Sequence, residues 1–361
     1  MLNSPLIVFL KSQNNQEMAT DYLDWELLIR QARRANLLSR VAVILKQSSQ
    51  YESLNENFKK HLKSAFLASE ANRRSVKWEV IKIHELLHNK NISFCLLKGA
   101  AYSEMDGDAS KGRIFSDIDI LVRKNDLFET EKTLVLNGWF SSYLDVYKER
   151  YYREWMHELP PLRHIKRGTE LDVHHAILPP TSRLKPRVSD LWASAISIPN
   201  KPGLFVLSPL DMVLHSATHL FHEGEFVNGL RDISDLDLLL KEYVLKGGKW
   251  QSLVFRAEEL NLGRPLFYSL RYTSILLNTP IPESIIRSVD QFAPPGLMLQ
   301  LMDALFLRAL MPDHSSCNDR WTGLARWLLY VRSHWLRMPM HLLIPHLLRK
   351  SWMRLIGKKT Y

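Results

Sequence analysis

The chain predicts an α+β protein, with a small mixed β-sheet held between an N-terminal and a C-terminal helical region. Two observations carry that prediction. Apolar residues recur at three- and four-residue spacing up to about residue 90 and again beyond about residue 206. Between those stretches, short β-rich runs bounded by glycine alternate with a helix-length segment. The expected regions are therefore 1–90 (helical), 91–205 (the α/β module) and 206–361 (helical, with a basic tail). No internal repeat or low-complexity segment is evident.

In the first region, "DWELLIRQARRANLLSRVAVILKQ" and "LNENFKKHLKSAFLASEANRRSVKWEVIKIHELLHNK" have helical periodicity and few breakers. The texture then changes. "ISFCLLKG" is a short strand ended by glycine, and "SDIDILV" is a second. "NDLFETEKTLVLNG" has a polar start and a Gly stop, which marks a helix. "GWFSSYLDVY" and "LRHIKRGTELDVHHAIL" read as further strands, the latter a hairpin turning at Arg167 and Gly168. After "SPLDMVLHSATHLFHE" the chain is helical, with loops at Gly247–Gly248, Pro280–Pro282, Pro294–Pro295 and Pro312–Asn318.

Composition sets the surroundings. The 361 residues are 46% hydrophobic and 24% charged, ordinary for a globular protein with room for two or three domains. Cys95 and Cys317 are the only cysteines, too few for a disulfide framework and consistent with a reducing compartment. The N-terminus lacks a basic lead and a small-residue cleavage site, and no run reaches the ~18 apolar residues of a spanning helix. The expectation is a cytoplasmic protein, with peripheral attachment to a membrane through its tail as the alternative. The net charge of +10 is concentrated: nine Lys/Arg and no acid follow from Arg320 onward, leaving 39 basic and 38 acidic residues before it. Any electrostatic attraction to an anionic surface therefore belongs to the C-terminus.

Asp117 and Asp119 interrupt an aliphatic strand two residues apart. On a strand such residues share a face, while Ile118, Ile120 and Val122 take the other. Unpaired buried carboxylates are costly, so they face solvent or a cation lies between them. Hard divalent metals take carboxylate oxygens. "TELDVHHAI" offers further donors on one strand face, Glu170, Asp172 and His174. Three carboxylates holding two metals ~4 Å apart form a clamp for in-line phosphoryl or nucleotidyl transfer.

These pieces resemble the polymerase-β-like nucleotidyltransferase pattern: a Gly-containing turn after a strand, a D-x-D strand, and a third Asp on a later strand. The sequence is most similar to the bacterial group described as uncharacterised or minimal nucleotidyltransferases. The resemblance lies in "LLKGAAY", "RIFSDIDILV", the strand entry at Gly138, "LDVHHAI" and "LHSATHL…LRDISDLDLLL". It implies a nucleotidyltransferase fold with Asp117, Asp119 and Asp172 as catalytic metal ligands for Mg²⁺ or Mn²⁺, two ions in all. Asp172 would also help deprotonate the acceptor hydroxyl. Gly99 would let the triphosphate approach bare backbone. Lys98, Gly99 and Ala100 stand where the superfamily has Gly-Ser, and the gap from Gly99 to Asp117 is longer than in typical members. Phosphate contact is accordingly assigned to Lys98 and Arg113, with Ser116 grouped among the nucleotide-binding residues. His174 would support Asp172 or touch the acceptor. The implied reaction moves an NMP from an NTP, ATP being the first choice, to a hydroxyl of a small-molecule, saccharide or peptide acceptor. Two alternatives stand beside it: a non-catalytic protein that keeps the fold, and an enzyme that nucleotidylates (AMPylates) protein side chains.

Other features have plainer readings. Asp235 and Asp237 repeat the D-x-D letters within helical periodicity, where i and i+2 lie ~200° apart and cannot share a metal. Arg231 and Asp232 near the start of that helix are expected to pair structurally. His215, His219 and His222 fall on one helical face without the glutamate of a zinc-protease motif. The tail interleaves Trp with Arg, which suits a basic helix on the core or an anionic membrane, acceptor or nucleic-acid surface, nucleic acid being the less favoured. Neither a P-loop nor a strand-linked G-x-G-x-x-G is present.

Overall fold

The structure is a computed structural model that describes residues 3–15, 23–141, 152–153, 155–222 and 224–339. The basic tail beyond 339, and the part of the "GWFSSYLDVY" strand after 141, lie outside the described residues.

Helices open the chain as their periodicity demands: α1 (Pro5–Asn15), α2 (Trp25–Arg34), α3 (Leu38–Lys46), the single turn α4 (Gln50–Ser53) and the long α5 (Glu56–His88). Asp24 caps α2 by accepting a hydrogen bond from the Leu27 N–H, and Asn55 caps α5 through the Asn57 N–H. The sheet follows with β1 (Phe94–Leu96), α6 (Lys98–Glu104), β2 (Asp117–Val122), α7 (Leu127–Leu136), β3 (Trp139–Ser141), β4 (Leu162–His164) and β5 (Glu170–His174). The β4–β5 hairpin turns through Gly168 at φ +71°, a conformation that suits glycine. After α8 (Val188–Ser194) come two strands that sequence periodicity does not single out, β6 (Ile196–Ser197) and β7 (Leu204–Val206). At two and three residues they are too short to display alternation.

The seven strands run in the order β3-β4-β5-β2-β1-β7-β6. β2 is antiparallel to β1 and parallel to β5, and β1 is parallel to β7, so the sheet is mixed. The parallel β2–β5 register sets Asp117 against Glu170, Asp119 against Asp172 and Leu121 against His174.

The remaining helices are α9 (Pro209–His222), α10 (Gly229–Leu245), α11 (Trp250–Glu259), α12 (Gly263–Leu277), α13 (Glu283–Val289), α14 (Gly296–Ala309) and α15 (Thr322–Arg337). Buried side chains from Leu6 to Leu329 form one continuous core, so the helical regions and the sheet are not separately cored. β2 is buried on both faces past its first residue, and Asp119 is only 3% exposed. The D-x-D strand is therefore covered, and a positive group has to answer its second carboxylate. Cys95 and Cys317 are both buried free thiols. No helix among the described residues is long and apolar enough to cross a membrane.

Candidate active site

The side chains at the start of β2 and along β5 meet the residue that follows β1. Because β1 and β2 are antiparallel, the chain leaving Leu96 arrives beside Asp119, and the Leu97 N–H donates to the Asp119 carbonyl at 3.0 Å. Lys98 opens α6 in the left-handed region at φ +45°, strained for a residue with a side chain. Its ammonium donates to Asp119 Oδ1 at 2.9 Å. Lys98 thus supplies a positive charge to the second carboxylate of the D-x-D strand.

His174 reaches the same oxygen. Its Nε2 lies 3.0 Å from Asp119 Oδ1, and its Nδ1 lies 3.2 Å from Glu158 Oε2. Glu158 forms an isolated bridge with His174 on the segment before β4. No sequence pattern marked Glu158 as a site residue; only the fold carries it to β5. Asp119, Asp172 and His174 present ligand atoms all within 4.8 Å of one another, as do His157, Glu158 and His174. Asp117 belongs to neither set. Its carboxylate accepts from Ser116 Oγ at 2.9 Å at the edge of the cluster.

The electrostatics follow from this crowding. Burial raises the Asp172 carboxyl, and the charges of Asp119, Glu158 and Asp117 raise it further, to about 8. Burial would also raise Asp119, but the Lys98 ammonium and the His174 hydrogen bond outweigh it and hold the group below the usual carboxylate range. Burial lowers His174, yet its bond to Asp119 and the charge of Glu158 raise it on balance. Even with Asp172 protonated, three carboxylates face one lysine and one imidazole, which leaves an excess of negative charge. Oxygen donors with such an excess suit a hard divalent cation, so these residues fit the metal that the D-x-D pattern implies.

A cavity of about 480 Å³ opens over this cluster, lined by Lys98, Gly99, Asp117, Asp119, Asp172 and His174 among others. Gly99 is required there by packing. A Cβ would lie 2.5 Å from the Phe115 ring and 3.1 Å from Arg113 Nε. Ser116 is exposed at the cavity edge. Arg113 also lines the cavity, but its guanidinium is buried and bonded to Asp235 of α10, with Asp232 at 3.9 Å. Burial, then the nearby Arg231, lowers its pKa to about 10. A buried guanidinium needs a countercharge, and Asp235 supplies it. Asp106 and Asp108, closer in sequence, pair instead with Arg73, Lys77 and Lys111.

The second D-x-D is split as helical geometry requires. Asp235 faces the cavity side and binds Arg40 at 2.8 Å as well as Arg113. Asp237 points elsewhere, to Thr279 Oγ1 at 2.7 Å and Lys241 at 2.6 Å. Arg231 pairs with its neighbour Asp232 at 2.9 Å, and both line the cavity. His215, His219 and His222 form part of the opposite wall. Burial and then Lys98 hold His215 well below its ordinary value, and burial with Arg332 and Arg337 lowers His222 to about 3. These imidazoles join no three-residue metal group among the described residues.

The description "uncharacterised nucleotidyltransferase" belongs to the family model that matches residues 21–278. That span includes the whole sheet, the cavity's carboxylates and helices α2 to α12. No curated protein and no solved structure matches the chain.

Proposed function

Since the chain belongs to the uncharacterised nucleotidyltransferase family and is a nucleotidyltransferase acting on an NTP, we propose that it joins an NMP to an acceptor hydroxyl and releases pyrophosphate. The observation that carries this reading is the parallel register of β2 and β5, which sets Asp119 beside Asp172 under a cavity that Asp117 and Lys98 also line.

Asp119 and Asp172, with Asp117 at the edge, would hold the divalent cation, Mg²⁺ or Mn²⁺. When bound, the cation neutralises phosphate charge and polarises the phosphoryl oxygens. Lys98 then turns from Asp119 to the triphosphate, and the exposed Ser116 hydroxyl and Gly99 backbone lie along the same wall. Arg113 contributes positive potential to that wall while Asp235 holds it in place. The acceptor oxygen attacks the α-phosphorus, its bond forming as the bond to the β-phosphate bridging oxygen breaks. Asp172 takes the hydroxyl proton, and pyrophosphate leaves with the electron pair. His174, fixed between Asp119 and Glu158, keeps both carboxylates in register.

The test is to incubate the protein with each of the four α-labelled NTPs, Mg²⁺ and a metabolite extract, and to follow label transfer and pyrophosphate release. The expected result is metal-dependent transfer from one preferred NTP. Asp119→Asn or Asp172→Asn should then lower kcat at least 10²–10⁴-fold, since general-base assistance alone is worth about that much. Pyrophosphate release that is indifferent to metal and to both substitutions would reject the reading.

A further inference from the structure

A second cavity of about 670 Å³ adjoins the first across Phe115, Ser116 and Asp117, which line both. Its other walls come from α5, with Arg74, Trp78 and Glu79, and from the β4–β5 turn, with Arg167 and Thr169. Glu79 is 3% exposed, and both its oxygens are committed to this rim. Arg167 Nε donates to them at 3.0 and 2.9 Å, Arg167 Nη2 at 2.5 Å, and Thr169 Oγ1 at 3.2 Å. The guanidinium also lies 5.6 Å from the Trp78 ring and 5.5 Å from the Trp139 ring. A buried carboxylate and two indoles therefore hold one arginine in a fixed pose, a pre-organisation that an exposed surface arginine lacks.

That arginine has spare capacity. Its Nη1 makes no hydrogen bond or ion pair among the described residues, and Arg74 in the same wall makes none at all among them. Trp78 exposes 48% of its surface. Glu79 offsets Arg167, and Asp117 is the other acid of the lining. Asp117 lies at the border with the first cavity and accepts from Ser116 Oγ, so Arg74 and Arg167 Nη1 are the charged donors beside the Trp78 ring.

We propose that this cavity seats the acceptor, and that the acceptor is a ring-bearing polyol of the sugar type carrying one phosphate or carboxylate. The inference rests on the nucleotidyl-transfer reading for the word acceptor, but the seat itself does not. Arg74 and Arg167 Nη1 take the anion, because guanidinium forks match carboxylate and phosphate oxygens. The Trp78 indole packs against the apolar face of the ring. Asp117, common to both cavities, then marks where a ring hydroxyl meets the metal-bound nucleotide.

The experiment is calorimetric titration of the full chain, without metal or NTP, with glucose 6-phosphate, glucuronate, glucose and AMP. The two anionic sugars should bind, and glucose should bind at least tenfold more weakly. Arg74→Ala and Trp78→Ala should each weaken the anionic sugars about tenfold, while Mg²⁺·ATP affinity stays within twofold of the parent. Both side chains are exposed, so the fold should survive, and an unchanged melting temperature verifies it. Equal binding of glucose, failure of both anionic sugars to bind, or AMP displacing them would overturn the proposal. So would a drop in Mg²⁺·ATP affinity in either variant, since the cavity would then belong to the nucleotide. Anionic-sugar binding in a protein that forms no nucleotidyl product would uphold the seat and remove only the reaction.

Discussion

Asp172 and Asp119 face each other across two strands and respond to that proximity in opposite directions. Asp172 is raised to about 8, whereas Asp119 is held low by Lys98 and His174. A carboxyl whose folded pKa is raised stabilises the protein below its unfolded value, and that contribution is lost as pH rises through the folded value. The metal-free protein should therefore melt at progressively lower temperature as pH goes from about 4 to 8. Saturating Mn²⁺ should flatten or reverse that slope, because a cation replaces the proton that Asp172 otherwise keeps. A pH scan of melting temperature with and without Mn²⁺ checks this; parallel curves would mean that Asp172 does not face the metal. At this scale the sequence was informative about residue type and less so about contact. Strand alternation puts Asp117 with Asp119 on one face and Asp172 with Glu170 and His174 on another strand's face, and the fold brings Asp119, Asp172, His174 and Lys98 together. Glu158 was not legible, because a lone acid among prolines and histidines carries no periodic signal. Arg113, expected at the phosphates, lines the cavity and pairs with Asp235, a pairing across more than a hundred residues that no local pattern reveals.

Among the elements, β2 and α10 contain the same three-residue pattern with opposite consequences. In β2 the pleat alternates carboxylates with Ile118 and Ile120, so the acids share a face. In α10 the helix separates them, and both become structural: Asp235 between two arginines, Asp237 among Thr279, Lys241 and Asn14. Arg40 and Asp235 are each 3% exposed at the side chain, which makes their pairing expensive to break. Asp235→Asn should cost about 3–5 kcal/mol, the usual penalty for leaving buried charge uncompensated. Asp237→Asn should cost less, since Asn still hydrogen-bonds Thr279 and Lys241 is 25% exposed. Chemical denaturation of both variants decides it, and equal losses would contradict the assignment. Strong periodicity made α5, α9 and α10 readable, and the β4–β5 hairpin was given away by its Gly turn. β6 and β7 escaped because their pairing, rather than their sequence, defines them.

Over the whole molecule, one core links the N-terminal helices, the sheet and the C-terminal helices, and the cavity lies where the sheet meets the C-terminal helices. Arg40 of α3 and Arg113 before β2 converge on Asp235 of α10, so the wall depends on segments from across the chain. α15 closes the far side: Arg332 donates to the Phe221 carbonyl at 2.8 Å and Arg337 to the His222 carbonyl at 3.1 Å. These are cations at the C-terminal end of α9, where the helix dipole favours them. Part of the basic C-terminal character is therefore spent inside the fold rather than on an external surface. Composition revealed that charge asymmetry but could not assign it, since a cation's partner depends on tertiary contact. The central claim is that β2 and β5 together hold a metal which in turn holds the nucleotide. Manganese titration followed by electron paramagnetic resonance, with and without a non-hydrolysable NTP analogue, tests it most directly. The account predicts tighter Mn²⁺ binding when the analogue is present, because phosphate oxygens complete the coordination. It also predicts that Asp119→Asn and Asp172→Asn each weaken that binding by about tenfold or more while the fold persists. Manganese affinity unmoved by the analogue and by both substitutions would contradict it.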